Sequence, residues 1–257
     1  MKYRASPADG CAWVTGASSG IGRAVALEMA RRGYQVFATA RRAGELDALA
    51  AQAKGLSGSI VAAPGDVVDR EGMAALASRI EATRPIALAL FNAGGAFRDS
   101  FAQFGGEGFQ RTLALNVQGV ANGLNPVLTP MRERKRGQIA IVGSVAGYGG
   151  LPNAYAYAPS KAAVISLAVG LKFLVDRFNI TVQIVNPGFI RTPMTDGNSY
   201  PMPFLLEVDA AARRLCDGLE RGGFEIRFPR RLAWMLRALN LLPYPAYFWL
   251  LKRLSGR

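Results

Sequence analysis

Histidine is missing from all 257 residues, which excludes Ser-His-Asp and Cys-His nucleophile systems and every imidazole-ligated metal site. Cysteine is nearly as scarce. Cys11 and Cys216 are too far apart for a CxxC pair, so neither a structural zinc nor a disulfide framework is expected, and nothing calls for an oxidising compartment. They read as two buried free thiols of a cytoplasmic protein. Acidic residues are few, 18 against 31 Lys and Arg, leaving a formal net charge of +13. That charge would suit nucleic acid, but no reader motif appears and the arginines are spread along many helical stretches, so no such partner is expected. Long hydrophobic runs are lacking at both ends. The opening MKYRASPADG has no signal-peptide core, and the longest uncharged run of the C-terminal tail, 238–251, has 14 residues broken by prolines, too short to cross a bilayer.

What is present is a foldable, apolar chain. Half of the residues are apolar and 19% are charged, which excludes disorder, and the length suffices for one large core. Apolar runs of strand length alternate with helical patterns: CAWVTG (11–16), YQVFATA (34–40), SIVAAPGDV (59–67), IALALFNAG (86–94), GQIAIVGS (137–144) and ITVQIVNPG (180–188). FEIRF (224–228) supplies a last strand. Most are apolar almost throughout, as strands covered on both faces are, so the sheet is expected to be parallel, of about seven strands, with helices on each side. Between them lie patterns such as GIGRAVALEMARRG, closing at Gly33 where a helix-terminating glycine belongs. Repeated βα units of this kind predict a doubly wound α/β fold with ligands at the carboxyl ends of its strands. No linker divides the chain. It reads as one domain, 1–228, with an amphipathic extension, 229–257.

The first strand runs into TGASSGIG (15–22) and then a helix. Gly16, Gly20 and Gly22 suit a tight turn whose backbone comes close to a ligand. The helix start beyond it offers free N–H groups and partial positive charge to a pyrophosphate.

This turn resembles the TGxxxGxG motif of the short-chain dehydrogenase/reductase family. NAG (92–94), Ser144 and Tyr157-x-x-x-Lys161 follow in that family's order, as do PG (187–188) with Thr192 and Asn116 within LALNVQG. The resemblance spans about residues 10–195. One departure is Phe91, where the family often has asparagine before the NAG motif. The resemblance implies a Rossmann fold and a bound nicotinamide dinucleotide. Its cofactor-binding set would be Gly16, Ser18, Ser19, Gly20, Ile21, Gly22, Arg41, Arg42, Asp66, Val67, Asn92, Ala93, Gly94, Tyr157, Lys161, Pro187, Gly188, Ile190 and Thr192. Asp66 and Val67 would meet the adenine edge. No metal ligand is implied.

An Asp or Glu after the second strand would bind a ribose 2′-hydroxyl, whereas arginine accommodates a 2′-phosphate. The stretch ATARR places Arg41 and Arg42 there with no acid before Glu45, so NADP(H) is favoured over NAD(H).

AYAYAPSK (154–161) holds two tyrosines before a lysine. Residues four apart share a helical face, so Tyr157 can meet Lys161, while Tyr155 points elsewhere as a pocket or packing aromatic. Pro159 is tolerated only in a first turn, which predicts a helix starting near Tyr157. A free phenol, with a pKa of about 10, is a poor acid–base group near neutrality; lowering it by roughly 3 units takes about 4 kcal/mol from neighbouring cations. By the family's pattern Tyr157 is the general acid/base and Lys161 also binds the nicotinamide ribose. Ser144 would steady the substrate oxygen, and Asn116 would hold a water of a proton relay.

The implied activity interconverts an alcohol with a ketone or aldehyde. Met194, Tyr200, Met202, Phe204 and Leu205, after Thr192, would wall an apolar, lipid-like substrate. The rival is a non-catalytic NADP-binding sensor or scaffold at the membrane surface, against which the intact Asn116, Ser144, Tyr157 and Lys161 set argues. The tail FPRRLAWMLRALNLLPYPAYFWLLKRLSGR brackets leucines and aromatics with cations. Two readings stand for it: an interfacial element on the anionic inner face of the membrane, or packing against a partner subunit in a homodimer or homotetramer.

Overall fold

A computed structural model describes residues 2–97, 99, 104–196 and 201–254. Seven strands form one sheet in the order β3-β2-β1-β4-β5-β6-β7, and every neighbouring pair is parallel. They are β1 (Cys11–Thr15), β2 (Gln35–Thr39), β3 (Ser59–Ala62), β4 (Ile86–Phe91), β5 (Gly137–Val142), β6 (Ile180–Pro187) and β7 (Glu225–Phe228). β1, β4, β5 and β6 are buried along their whole length, as the unbroken apolar runs require. The order reverses between β1 and β4, and that switch point opens a crevice at the strands' carboxyl ends.

Two hydrophobic layers enclose the sheet, and β1 shows how its alternation feeds both. Ala12 and Val14 face the layer of α1 (Gly20–Arg31), α2 (Ala43–Gln52) and α7 (Val208–Arg221). Cys11 and Trp13 face the layer of α3 (Arg70–Thr83), α5 (Gly119–Glu133) and α6 (Tyr157–Val175). The two thiols are buried and free, and burial pushes each up to about 12. Phe91, the departure noted above, is accommodated locally. Its ring meets Trp13 edge-on at 6.0 Å, and a Cβ on Gly123 of α5 would lie 2.4 Å from it, so only glycine lets the helix approach.

β1, β2, β4, β5 and β6 end one to three residues earlier than their apolar runs, and two features differ more from expectation. β3 stops at Ala62 instead of running to residue 67: Ala63 N and Gly65 N still donate to the Ala38 and Ala40 carbonyls beyond it, at 2.9 and 3.1 Å, Pro64 faces the open edge, and Asp66 then turns the chain by accepting from Val68 N at 3.1 Å. Asn116 lies on the expected helical stretch, but within a single π-helical turn, Ala114–Gln118, between α4 (Glu107–Leu113) and α5. Among the described residues, Tyr157–Phe178 is long and apolar enough to span a bilayer by composition alone. It is a core helix: Val164, Ala168, Leu171 and Val175 pack on the sheet.

The extension folds into α8 (Arg230–Leu239) and α9 (Tyr244–Leu254). Leu232 and Ala233 are buried in a small third cluster with Val145, which Tyr148, Phe189 and Leu236 complete. The tail therefore packs on its own domain by one face, beside the turn that follows β5.

Candidate active site

The loop after β1 is built from glycines because nothing larger fits. A Cβ on Gly16 (φ +69°) would stand 2.7 Å from Ala93 Cα, and one on Gly22 would stand 2.3 Å from the Gly16 carbonyl oxygen. Gly20, at φ +54°, holds a left-handed turn that side chains resist. Asn92 locks this loop to the one after β4: its amide donates to the Thr15 and Gly16 carbonyls at 3.1 and 3.3 Å. The Asn92 and Ala93 N–H groups in turn donate to Thr15 Oγ1 at 3.0 and 3.2 Å. Thr15 thus organises the switch point, although only the glycines beside it stood out in the sequence.

Helix α1 begins at Gly20 without a side-chain cap from Ser19, which is exposed, so its first-turn N–H groups face the crevice. Ile21 is half-buried behind them. Arg42, at the head of α2, reaches across to donate to Ser18 Oγ at 3.1 Å, and Arg41 is exposed next to it. Opposite them, Asp66 ends its turn and Val67 is buried against Gly119. Asn122 of α5 fastens this edge by donating to the Val67 and Val68 carbonyls at 2.9 and 3.1 Å. A buried asparagine on an otherwise apolar helical face is the signal that the sequence carries for it.

The chemistry-bearing side chains converge from three elements. Tyr157 opens α6, with Pro159 inside its first turn. One turn on, the Lys161 ammonium lies 5.6 Å from the centre of the Tyr157 ring. Lys161 is 4% exposed, Nζ donates to the Val142 carbonyl at 2.9 Å, and burial pushes the amine down to about 8. A Cβ on Gly94 would come within 3.3 Å of Nζ and 3.1 Å of Asn116 Oδ1, so the NAG loop borders the lysine directly. Ser144 heads the short 3-10 turn Val145–Tyr148: its Oγ accepts from Ala146 N at 3.1 Å and donates a long bond of 3.4 Å to the Pro187 carbonyl. That turn packs on α6 through Gly147, where a Cβ would sit 2.7 Å from the Lys161 carbonyl carbon.

Asn116 is a brace. Oδ1 accepts from Gly95 N at 2.8 Å, while Nδ2 donates to the Gly95 carbonyl at 2.9 Å and to Ser160 Oγ at 2.8 Å. The π-turn aims the amide this way and ties the NAG loop to α6. A relay water on this side chain would use the second lone pair of Oδ1. Tyr155 points away, as its spacing predicts. Its hydroxyl bonds the Asp99 backbone, and its ring packs with Phe104 and Phe109.

β6 ends at the buried Pro187; beyond it Gly188 N donates to the Phe228 carbonyl at 2.7 Å and Ile190 is 3% exposed. Thr192 comes beside the glycine loop, where a Cβ on Gly20 would meet its methyl at 3.4 Å. Of the expected apolar wall, Met194 and Phe204 are exposed and Met202 and Leu205 half-buried; Tyr200 lies outside the described residues. Uncapped helix N–H groups, close glycine backbone, the adjacent Arg41 and Arg42 and a buried lysine fit a nicotinamide dinucleotide.

Residues 10–201 match the sequence pattern of short chain dehydrogenases. A Myxococcus xanthus protein described as an uncharacterized oxidoreductase is 36% identical over 251 residues, 96% of each chain. A 3-oxoacyl-[acyl-carrier-protein] reductase of Aggregatibacter actinomycetemcomitans is 34% identical over 203 residues, 78% of this chain and 84% of that one. Among solved structures, a short-chain dehydrogenase from Sphingobium yanoikuyae in complex with NADPH superposes with a TM-score of 0.80 at 30% identity, covering 90% of this chain and 92% of that one. With the parallel sheet, the glycine loop and a matched span of this length, the chain belongs to the short-chain dehydrogenase/reductase family and is one of its nicotinamide-cofactor oxidoreductases.

Proposed function

We propose that the protein is an NADP(H)-dependent enzyme interconverting an alcohol and a ketone or aldehyde on an apolar, lipid-like substrate, with Tyr157 as general acid/base. The observation that carries this reading is the Tyr157–Lys161 pair on the first turn of α6, its buried ammonium 5.6 Å from the phenol ring and bordered by Gly94. Arg41 and Arg42 beside the glycine loop support the 2′-phosphate, as does the NADPH of the Sphingobium relative. The apolar side chains Met194, Met202, Phe204 and Leu205 support a greasy substrate, and so does the acyl-chain reductase among the relatives.

A nicotinamide bound at the crevice would supply hydride to the carbonyl carbon, or accept it from the alcohol. The Lys161 ammonium favours the phenolate of Tyr157 over the phenol and so brings this hydroxyl toward the range of acid–base work. In reduction Tyr157 gives its proton to the substrate oxygen; in oxidation it takes that proton back. Ser144 exchanges its long bond to the Pro187 carbonyl for one to the substrate oxygen and stabilises the charge gathering there. Lys161 holds the ribose, and Asn116 fixes the distance between the NAG loop and α6. The same reading places the enzyme in the cytoplasm as a homodimer or homotetramer, supported by the exposed strip Val169, Phe173 and Leu174 on α6, and attaches its tail to the inner face of the membrane.

The test is NADPH consumption across medium- and long-chain aldehydes and ketones. Tyr157→Phe should lower kcat roughly 10²–10⁴-fold while NADPH still binds. NADPH binding without turnover of any carbonyl by the native protein would overturn the reading in favour of a scaffold.

A further inference from the structure

The tail is amphipathic in three dimensions. On α8, Leu232, Ala233 and Leu236 turn inward to Val145 and Tyr148, while Arg230, Arg231, Trp234 and Met235 face solvent. On α9, Tyr247 is the inward residue and its hydroxyl donates to the Gly150 carbonyl, while Tyr244, Phe248, Trp249, Lys252 and Arg253 are exposed. Leu241, at 85% exposure, joins the two. Both helices thus lay their inner faces on the turn that follows Ser144, and both turn aromatics outward from it. Tryptophan is otherwise a core residue here: Trp13 is fully buried, yet Trp234 and Trp249 are 57% and 61% exposed. Leaving such surface in water is costly unless something covers it.

We propose that this outer face of α8 and α9 docks on an anionic lipid bilayer. Residues 229–257 carry six cations and no acid, so a second copy seated face to face would set like charges against each other. Arg227 lies 4.6 Å from the centre of the Trp234 ring and Arg253 5.5 Å from that of Trp249, pairing each outward indole with a cation. Arg227 is itself held by Glu225 at 2.6 Å and braces the Trp234 ring, while the exposed Arg230, Arg231, Lys252 and Arg253 suit the headgroup boundary, where rings enter the acyl edge and cations meet lipid phosphates. At 10 and 11 residues the helices are each about 15 Å long, fit to lie in the interface and too short to cross it. A clamp holds the dock on the catalytic domain: Arg237 of α8 and Tyr148 of the catalytic turn both donate to Glu225, at 2.7 and 2.6 Å.

This deepens the membrane attachment proposed above but uses no catalytic step, so vesicle binding and turnover can fail separately. The two exposed indoles are built-in reporters, since the third tryptophan is buried. Adding phosphatidylglycerol–phosphatidylcholine vesicles should shift the emission of the unaltered protein to the blue, and brominated lipid should quench it. Co-sedimentation with these vesicles should fall at least tenfold in high salt, with pure phosphatidylcholine, and in Trp234→Glu/Trp249→Glu. NADPH binding by that variant shows that it is folded. No emission change on adding anionic vesicles overturns the proposal. So does a double variant that binds vesicles normally, or one whose only change in ultracentrifugation is a smaller oligomer, which would make the face a subunit contact.

Discussion

Replacing Lys161 with methionine should make the cofactor-free protein more stable while ending turnover. Burial holds the amine near 8 instead of its ordinary 10.5, so between those two pH values the folded chain has released a proton that the unfolded chain retains. At neutral pH, where both states are charged, that difference of about 2.5 units destabilises the fold by about 3 kcal/mol, at 1.36 kcal/mol per unit. Methionine removes the charge at nearly the same length. It also removes the 2.9 Å bond to the Val142 carbonyl, which returns roughly 1–1.5 kcal/mol. A net gain of about 2 kcal/mol is expected in urea unfolding near neutrality. Its pH dependence is the sharper test. Between about pH 8 and 10.5 the unfolded native sequence binds more protons than the folded one, so its stability rises with pH and the variant's advantage fades. Comparing the two proteins cancels the other groups that titrate there. A variant less stable than the native protein at neutral pH, or an advantage that does not change from about pH 7 to 10, would refute the argument that the buried ammonium carries an uncompensated desolvation cost.

Two further outcomes follow from the cofactor crevice and the core behind it. Arg41→Asp should weaken NADPH binding by tenfold or more, about 1.4 kcal/mol, and leave NADH binding nearly unchanged; equal losses by fluorescence titration would mean that Arg41 does not meet the 2′-phosphate. Gly123→Ala should cost about 1–3 kcal/mol in urea unfolding, because its methyl meets the Phe91 ring, and combining it with Phe91→Leu should cost less than the two single losses together. Strict additivity would show that the ring and the helix do not compete for the same space.

Legibility followed the range of each interaction. Tyr157 and Lys161 are one helical turn apart, so their meeting could be read from spacing and from Pro159 in the first turn. Strand identity was equally plain, because burial on both faces leaves an unbroken apolar run. Contacts between distant segments were not visible in this way. Asn116 is braced by Gly95 and Ser160, from two other elements, and Asn122 reaches back to Val67. The end of β3 is hidden in the sequence because Ala62 and Ala63 continue its apolar run up to Pro64, and the turn made by Asp66 and Val68 is a matter of tertiary placement.

By itself, then, the sequence determined the parallel doubly wound sheet, the cofactor loop and the order of the family's motifs, since each depends on local periodicity or on a few adjacent residues. Packing alone decided that glycine at 123 answers phenylalanine at 91, and that Thr15 and Asn92 join two loops across the switch point. It also decided that one face of the tail covers the turn after Ser144 while the other turns its tryptophans to solvent. Those outcomes depend on which surfaces close the core first and which remain uncovered, and that is a property of the assembled chain.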